Sequence, residues 1–478
     1  MRYRLCLASL AFLAVGCGSA AERRGSTILF ASGADLQSSN PLVTIHPLAK
    51  QVQRYVLLTT LARHDSALVP QPYLAQSWDW SDDNRRLTLH LTTALNWHDG
   101  TTTTAEDVRF TLDAARDPLT GYPRMTDLAE VNRILAPDDS TAVLEFSRPQ
   151  GTFPDVLTDL AIVPAHHLDT VPRDRLRQAQ WNQQPVGNGP FIFVAYEPNR
   201  RWIFAANPDF PEELGGPPRL SRFIVVVVDE PTTKLAALTA EELDFAGIQP
   251  AHADFVRRDH RLDVLDYPLL FTYGVVFNTR RPPFDDRSAR RAVSLSLDRQ
   301  EIVDGYLYGF GSAAFGPVPP GVPGATPAPP VPMNRDSARR LLGGRERDVE
   351  LLTVGSGEAA LEQMIQAQLE QVGFDVRIRQ MELSAFLDRV YGRQHDFQAA
   401  VMGIPGDLAL GYLGPLLELT GMTAPADPDE LHKVFLDDVP VAFVYYARGV
   451  QGINRRVRGV EMDLRGELST VAKWWVEP

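Results

Sequence analysis

Few residues of this 478-residue chain have types and spacings that could do chemistry. His98-Asp99 sets a base beside an acid, and His166-His167 is the one adjacent pair among ten histidines, so proton transfer and metal ligation are the chemistries to weigh. Asp99-Gly100 is a tight-turn dipeptide, which accounts for Asp99 without catalysis. Consecutive side chains diverge on a strand or a helix, so His166 and His167 are expected not to chelate one ion, and neither a metal nor a cofactor is expected. Gly309-Phe310-Gly311-Ser312-Ala313-Ala314 fits a dinucleotide-binding fingerprint in letters, but it follows a helical stretch where the phosphate cradle needs a preceding strand. No serine stands three residues before a lysine, and no Gly-x-Ser-x-Gly, His-Glu-x-x-His or Walker motif occurs. The chain is therefore expected not to be an enzyme. Trp97 and Tyr273 could stack on a ligand or serve as packing residues.

Composition narrows the partners. Hydrophobic residues make up 44% and charged residues 22%, as in globular proteins, and the length asks for two or three domains. The net charge of −13 leaves no basic footprint for nucleic acid. Lysine occurs only at Lys50, Lys234, Lys433 and Lys473, which reads as gene composition and not as chemistry. Arg2 and Arg4 precede the apolar run 5–15, the pattern of a secretory leader and too short to span a membrane. Gly16-Cys17-Gly18-Ser19 closes that run. Cys6 and Cys17 are the only cysteines, so the body after the leader has no possible internal disulfide.

The elements that must position any site follow from periodicity. Leu87, Leu89 and Leu91 alternate with polar residues as in a half-buried strand. Thr104 and Asp107 have capping-box spacing ahead of a helix carrying Val108, Thr111, Leu112 and Ala115. Residues 26–32 form an expected first strand, 47–61 an amphipathic helix, 145–160 a strand end and a short helix, and 185–210 a hairpin turning at 197–200. The run 223–228 reads as a strand buried on both faces, followed by a helix over 231–242 and a short strand over 243–246. Downstream come helices over 287–297 and 333–342, an extended proline-rich crossing over 317–332, and a strand-helix-strand unit over 349–354, 358–372 and 374–380 with Gly373 as helix stop. A buried strand is expected over 439–446.

Residues 96–109, Asn-Trp-His-Asp-Gly-Thr-Thr-Thr-Thr-Ala-Glu-Asp-Val-Arg, resemble a signature of the bacterial extracellular solute-binding proteins, family 5, which serve dipeptide, oligopeptide and nickel ABC importers. Residues 185–210 and 273–320 resemble two further signatures in colinear order. The resemblance implies an α/β, periplasmic binding protein-like fold of class II, cluster C type: two α/β lobes with a ligand cleft between them and an inserted subdomain. It implies a leader over 1–25, lobe I from 26–45, 184–266 and 447–478, the insertion over 46–183, and lobe II over 267–446. Cys17 resembles a lipidated lipobox cysteine, although Ala14 stands where the family usually has leucine, so simple leader cleavage stays open. The implied partners are a peptide or peptide-like solute, a permease with its ATPases, and a membrane reached through the lipid anchor alone, with the protein a monomer on the extracytoplasmic or periplasmic face.

The resemblance places an ammonium-binding carboxylate at Asp407 with Gly406 beside it, and adds Tyr273 and Ser32 to the ligand-facing set. Around Asp407 the chain departs from the family: Ile404 replaces a tryptophan, Leu408-Ala409-Leu410-Gly411 replaces an acidic turn, and the segment before the last strand is short. A non-peptide solute (an opine, an oligosaccharide or a nickel chelate) or a sensor that has lost transport stays open on that ground.

Overall fold

Ile28 and Phe30 of the strand Thr27–Ser32 and Phe223 and Val225 of its parallel neighbour Arg222–Val227 are buried, while Leu29, Ile224 and Val226 between them are only partly covered. Period-two alternation with one heavily packed face is what these β-branched and aromatic sequences favour. The strand over 222–227 is thus less symmetrically buried than its apolar run suggests, because the helix Pro231–Thr239 covers only part of its second face. The computed structural model describes residues 25–477 apart from Ile45, Gly324, Thr326, Ser356, Arg393 and Ala426; Cys17 and the leader lie outside the described residues.

One large mixed sheet runs through the molecule. Its order is Phe374–Met381, Arg347–Val354, Ala399–Pro405, Leu262–Phe277, Val441–Asn454, Phe245–Gly247, Thr27–Ser32, Arg222–Val227, Arg201–Ala206 and Phe191–Glu197, with Gly311–Ala313 added against Val441–Asn454. The 16-residue strand Leu262–Phe277 and the 14-residue strand Val441–Asn454 are antiparallel and serve both halves of the sheet. Leu262 to Pro268 pair with Asn454 to Arg448, and Thr272 to Val276 with Tyr446 to Val441; the register slips between Pro268 and Thr272. The strand expected over 439–446 thus runs on to Asn454. Gly449 is a ladder residue whose missing side chain makes room for a ring: a Cβ there would lie 2.1 Å from the Tyr267 ring.

Helices cover both faces of the half containing residues 347–405. Val275, Phe277 and Val401 pack under Arg287–Ser296 and Ala360–Glu370 through Val293, Leu361 and Ile365, while Val276, Met402 and Phe443 pack under Leu383–Tyr391, Leu413–Thr420 and Pro428–Asp437 through Phe386, Leu417 and Phe435. On the other half, the returning C-terminal tail is held by aromatic stacking, with Trp474 on Phe245 at 4.7 Å and Phe245 on Phe30 at 5.4 Å between ring centroids. Each such pair contributes about 0.5–1.5 kcal/mol beyond its buried area.

Residues 75–146 carry their own four-stranded antiparallel sheet, ordered Ala75–Trp80, Arg86–Leu91, Thr141–Phe146, Val131–Asp138. The helix Ala105–Arg116 has a complete capping box between Thr104 and Asp107. Asp107 does more than cap: it is buried, its Oδ2 accepts from Thr104 N at 2.9 Å and Trp97 Nε1 at 3.1 Å, and its Oδ1 accepts from Ala165 N at 2.8 Å. The helix expected over 47–61 stops sooner, at Leu57. There the Leu57 carbonyl accepts from Gly189 N, and residues 58–61 are drawn out straight by Asn188, Ile162 and Leu74 bonding their backbone.

Asp107→Ala would leave three donors, two of them buried, without an acceptor, at about 1–3 kcal/mol for each that stays unsatisfied. Urea denaturation followed by Trp fluorescence is expected to show a midpoint well below that of the native chain, and Asp107→Asn to fall between the two.

Candidate functional site

In open α/β sheets ligands bind beyond the carboxyl ends of the parallel strands. Thr27–Ser32, Arg222–Val227 and Phe245–Gly247 end together on one half of the sheet, and Arg347–Val354, Phe374–Met381 and Ala399–Pro405 end together on the other. Two of those ends reach the shared strands near the register slip. Pro405 pairs with Phe271 and Gly406 N donates to Leu270 O at 2.7 Å, while Gly247 pairs with Gln451 and Ile248 N donates to Val450 O at 3.0 Å.

Asp407 leaves this edge in a turn closed by its own side chain, with Oδ1 accepting from Gly411 N at 3.0 Å. Leu410 in the turn has φ +59°. Oδ2 of Asp407 takes no hydrogen bond among the described residues, so half of the carboxylate is available to a donor. Beside it, the Tyr412 hydroxyl donates to Pro317 O at 2.8 Å, and burial, reinforced by the Asp407 charge, pushes that phenol well above its ordinary range. Gly406 packs closely here, since a Cβ there would sit 3.3 Å from the Tyr412 ring.

Ser32 ends its strand in a buried position, its Oγ donating to Ala34 O at 2.5 Å and accepting from Ala34 N at 3.3 Å. Its hydroxyl is thus committed to the turn. Tyr273 stacks on Tyr445 with centroids 4.7 Å apart and lies against the core beneath Arg287–Ser296. The structure therefore puts Asp407 and Gly406 together at one strand end, Ser32 at the end of a strand in the opposite half, and Tyr273 among packing residues.

Lysine 234 is a residue that sequence reasoning passed over as composition. It lies on Pro231–Thr239, and its Nζ stands 3.2 Å from where a Cβ on Gly33 would be, which places the ammonium over the turn that follows Ser32. Among the described residues it has no ion pair or hydrogen bond. A cue existed: Lys234 is a lone cation just after a strand that ends at a carboxyl edge.

The histidine-aspartate residues are elsewhere, in the small sheet's layer. His98 is a packing residue, its Nε2 against Gly189 O at 3.0 Å, and burial lowers its basicity. Trp97, 1% exposed, is core. The expectation that His166 and His167 diverge is corrected: their Nε2 atoms lie 2.9 and 3.0 Å from the same Oδ2 of Asp99. Each ring reaches far beyond its Cβ, so an acceptor placed between them draws both in.

Residues 69–422 match the model of the bacterial extracellular solute-binding proteins, family 5 Middle. The chain belongs to this family. A di/tripeptide-binding protein 5, described as probable, from Pseudomonas aeruginosa is 27% identical to this solute-binding protein over 404 residues, covering 78% of this chain and 75% of the relative. Among solved structures, the ABC transporter substrate-binding protein CtaP from Listeria monocytogenes superposes with a TM-score of 0.85 at 20% identity, covering 95% of this chain and 100% of the other. The oligopeptide-binding protein AppA from Bacillus subtilis, in complex with a nonapeptide, gives 0.79 at 20% identity, covering 95% and 99%. The fold of the solute-binding protein is thus the class II periplasmic binding protein fold. Its segment between Asp407 and the last long strand is built as the helices Leu413–Thr420 and Pro428–Asp437, which pack on the sheet. No helix among the described residues is long and apolar enough to cross a membrane.

Beside the register slip of the two long strands, the Tyr267 hydroxyl donates to Glu467 Oε1 at 2.7 Å and Arg448 pairs with Asp266 at 2.7 Å. Burial raises the Glu467 carboxyl above its ordinary range, against the opposing pull of the Tyr267 hydrogen bond. A raised folded value means that this group's contribution to stability is complete below the unfolded carboxyl value of about 4.3 and is lost as pH rises through the folded one. Glu467→Gln is therefore expected to lose less stability than the native chain between pH 4.5 and pH 8, measured by urea midpoints; identical pH profiles would contradict the assignment.

Proposed function

We propose that this solute-binding protein captures short peptides between its two lobes and hands them to a membrane permease driven by separate ATPases. The observation that carries the reading is a pair of uncommitted charges on opposite carboxyl-end edges: Asp407 Oδ2 beside the shared strands and Lys234 Nζ over the turn after Ser32. A zwitterionic peptide offers an ammonium to the first and a carboxylate to the second, and its extended backbone can bond to strand-end amides without regard to side chain. The relative from Pseudomonas aeruginosa, described as a probable di/tripeptide binder, supports the same class of ligand.

In this reading residues 26–45, 184–266 and 447–478 form lobe I, 46–183 the inserted subdomain, and 267–446 lobe II, with Gly406 and Tyr273 backing the second lobe's wall. The register slip between Pro268 and Thr272 is the hinge. Closure brings the two charges onto one ligand, and ligand binding supplies the energy that favours the closed state. No chemistry is done on the solute. Cys17 carries a lipid that holds the monomer at the extracytoplasmic membrane face.

Calorimetric titration with di- and tripeptide pools tests this. Asp407→Asn is expected to weaken binding about ten- to a hundredfold, the scale of one charge-assisted hydrogen bond. Peptides with an acetylated amine should lose the same factor against the native chain and nothing further against the variant. Lys234→Gln should likewise weaken binding, and esterified or amidated peptides should lose nothing further against it. Heat from an opine, an oligosaccharide or a nickel chelate, with none from peptides, would overturn the peptide reading.

A further inference from the structure

We propose that Asp99, His166 and His167 form a binding site for a borderline divalent transition ion of the Zn2+ class, on the inserted subdomain and separate from the solute cleft. Their donor atoms, one Oδ and two Nε2, all lie within 4.8 Å of one another. Two imidazoles and a carboxylate are a donor set that zinc accepts, with a further position open to water. Tetrahedral bonds of about 2.0–2.2 Å put donors roughly 3.3–3.6 Å apart, so the His–Asp contacts of 2.9 and 3.0 Å must open slightly while the two Nε2 atoms, within 4.8 Å of each other, settle to the same spacing. The ion takes the place of the bridging hydrogens: a neutral imidazole shifts its hydrogen from Nε2 to Nδ1, and a protonated one releases its Nε2 proton to water.

The donors are held by a frame that forms without an ion. Asp99 Oδ1 accepts from Thr101 N at 3.0 Å, which orients the carboxylate and leaves Oδ2 outward. Gly100, at φ +90°, lets the turn close with its N bonded to Trp97 O at 2.8 Å. The histidines sit on the four-residue helix Ala165–Leu168, and their rings lie 4.4 Å apart. Asp107 then ties the two segments together, taking Trp97 Nε1 on one side and Ala165 N on the other. One buried carboxylate therefore fixes the spacing between the turn that bears Asp99 and the helix that bears both imidazoles. All three donors are exposed, so an ion from solvent reaches them directly.

The test is calorimetric titration of chelator-stripped, leader-free protein with ZnCl2, alongside Co2+ absorption spectroscopy. One equivalent is expected to bind, with a visible Co2+ band of a low-symmetry nitrogen-oxygen site. His166→Gln, His167→Gln and Asp99→Asn should each weaken binding at least tenfold. Asp99→Asn keeps an acceptor for Thr101, so its loss of binding with an unchanged urea midpoint separates ligation from folding. Absence of Zn2+ binding at 100-fold excess, or stoichiometric binding that survives all three substitutions, would overturn the proposal.

Discussion

Both halves of the large sheet hang on the pairing of Leu262–Phe277 with Val441–Asn454. A ladder of backbone hydrogen bonds this long is stiff along its length, yet its register slips between Pro268 and Thr272, where proline supplies no amide and the pairing is redistributed. On the proposed function, this short stretch is where one lobe bends against the other. Tyr267, Gly449 and Glu467 crowd that stretch, and the close seat of the Tyr267 ring against Gly449 sets how the strands pass each other.

Placing recognition at the strand ends follows from the same architecture. On the proposed function, a strand-end position suits an extended ligand of varied side chains, because backbone pairing reads no side chain. A single charge-assisted hydrogen bond is worth about 1.5–3 kcal/mol, enough to set orientation but not enough alone to select one sequence. Asp407 keeps half its carboxylate uncommitted, whereas Ser32 spends its hydroxyl within its own turn. Separate from this, the inserted subdomain concentrates its polar chemistry around Asp107, whose several bonds join a turn, a helix start and a second short helix.

Much of the fold was legible because its signals are local. Thr104 and Asp107 announced a capped helix, Leu87, Leu89 and Leu91 a half-buried strand, and Gly373, at φ +110°, a helix stop. The long shared strands were not legible as single elements: only residues 439–446 were expected as strand, and Pro268 and Gly449 become ladder positions through pairing across the chain. The site was legible only in part. Asp407 was named only through the family resemblance, and the position of Lys234 over Gly33 depends on a helix that returns to the first strand's end. His166 and His167 were misread because direction of the Cα–Cβ bond was taken for direction of the ring nitrogens, which converge on Asp99.

The central claim is that ligand capture closes two rigid lobes about the joint at residues 268–272. Small-angle X-ray scattering of the leader-free protein, with and without a saturating tripeptide, tests it most directly. The expected result is a smaller radius of gyration in the liganded sample, with Asp407→Asn needing about ten- to a hundredfold more peptide to reach it. Scattering curves that superpose with and without peptide, under conditions where calorimetry shows the site filled, would contradict it.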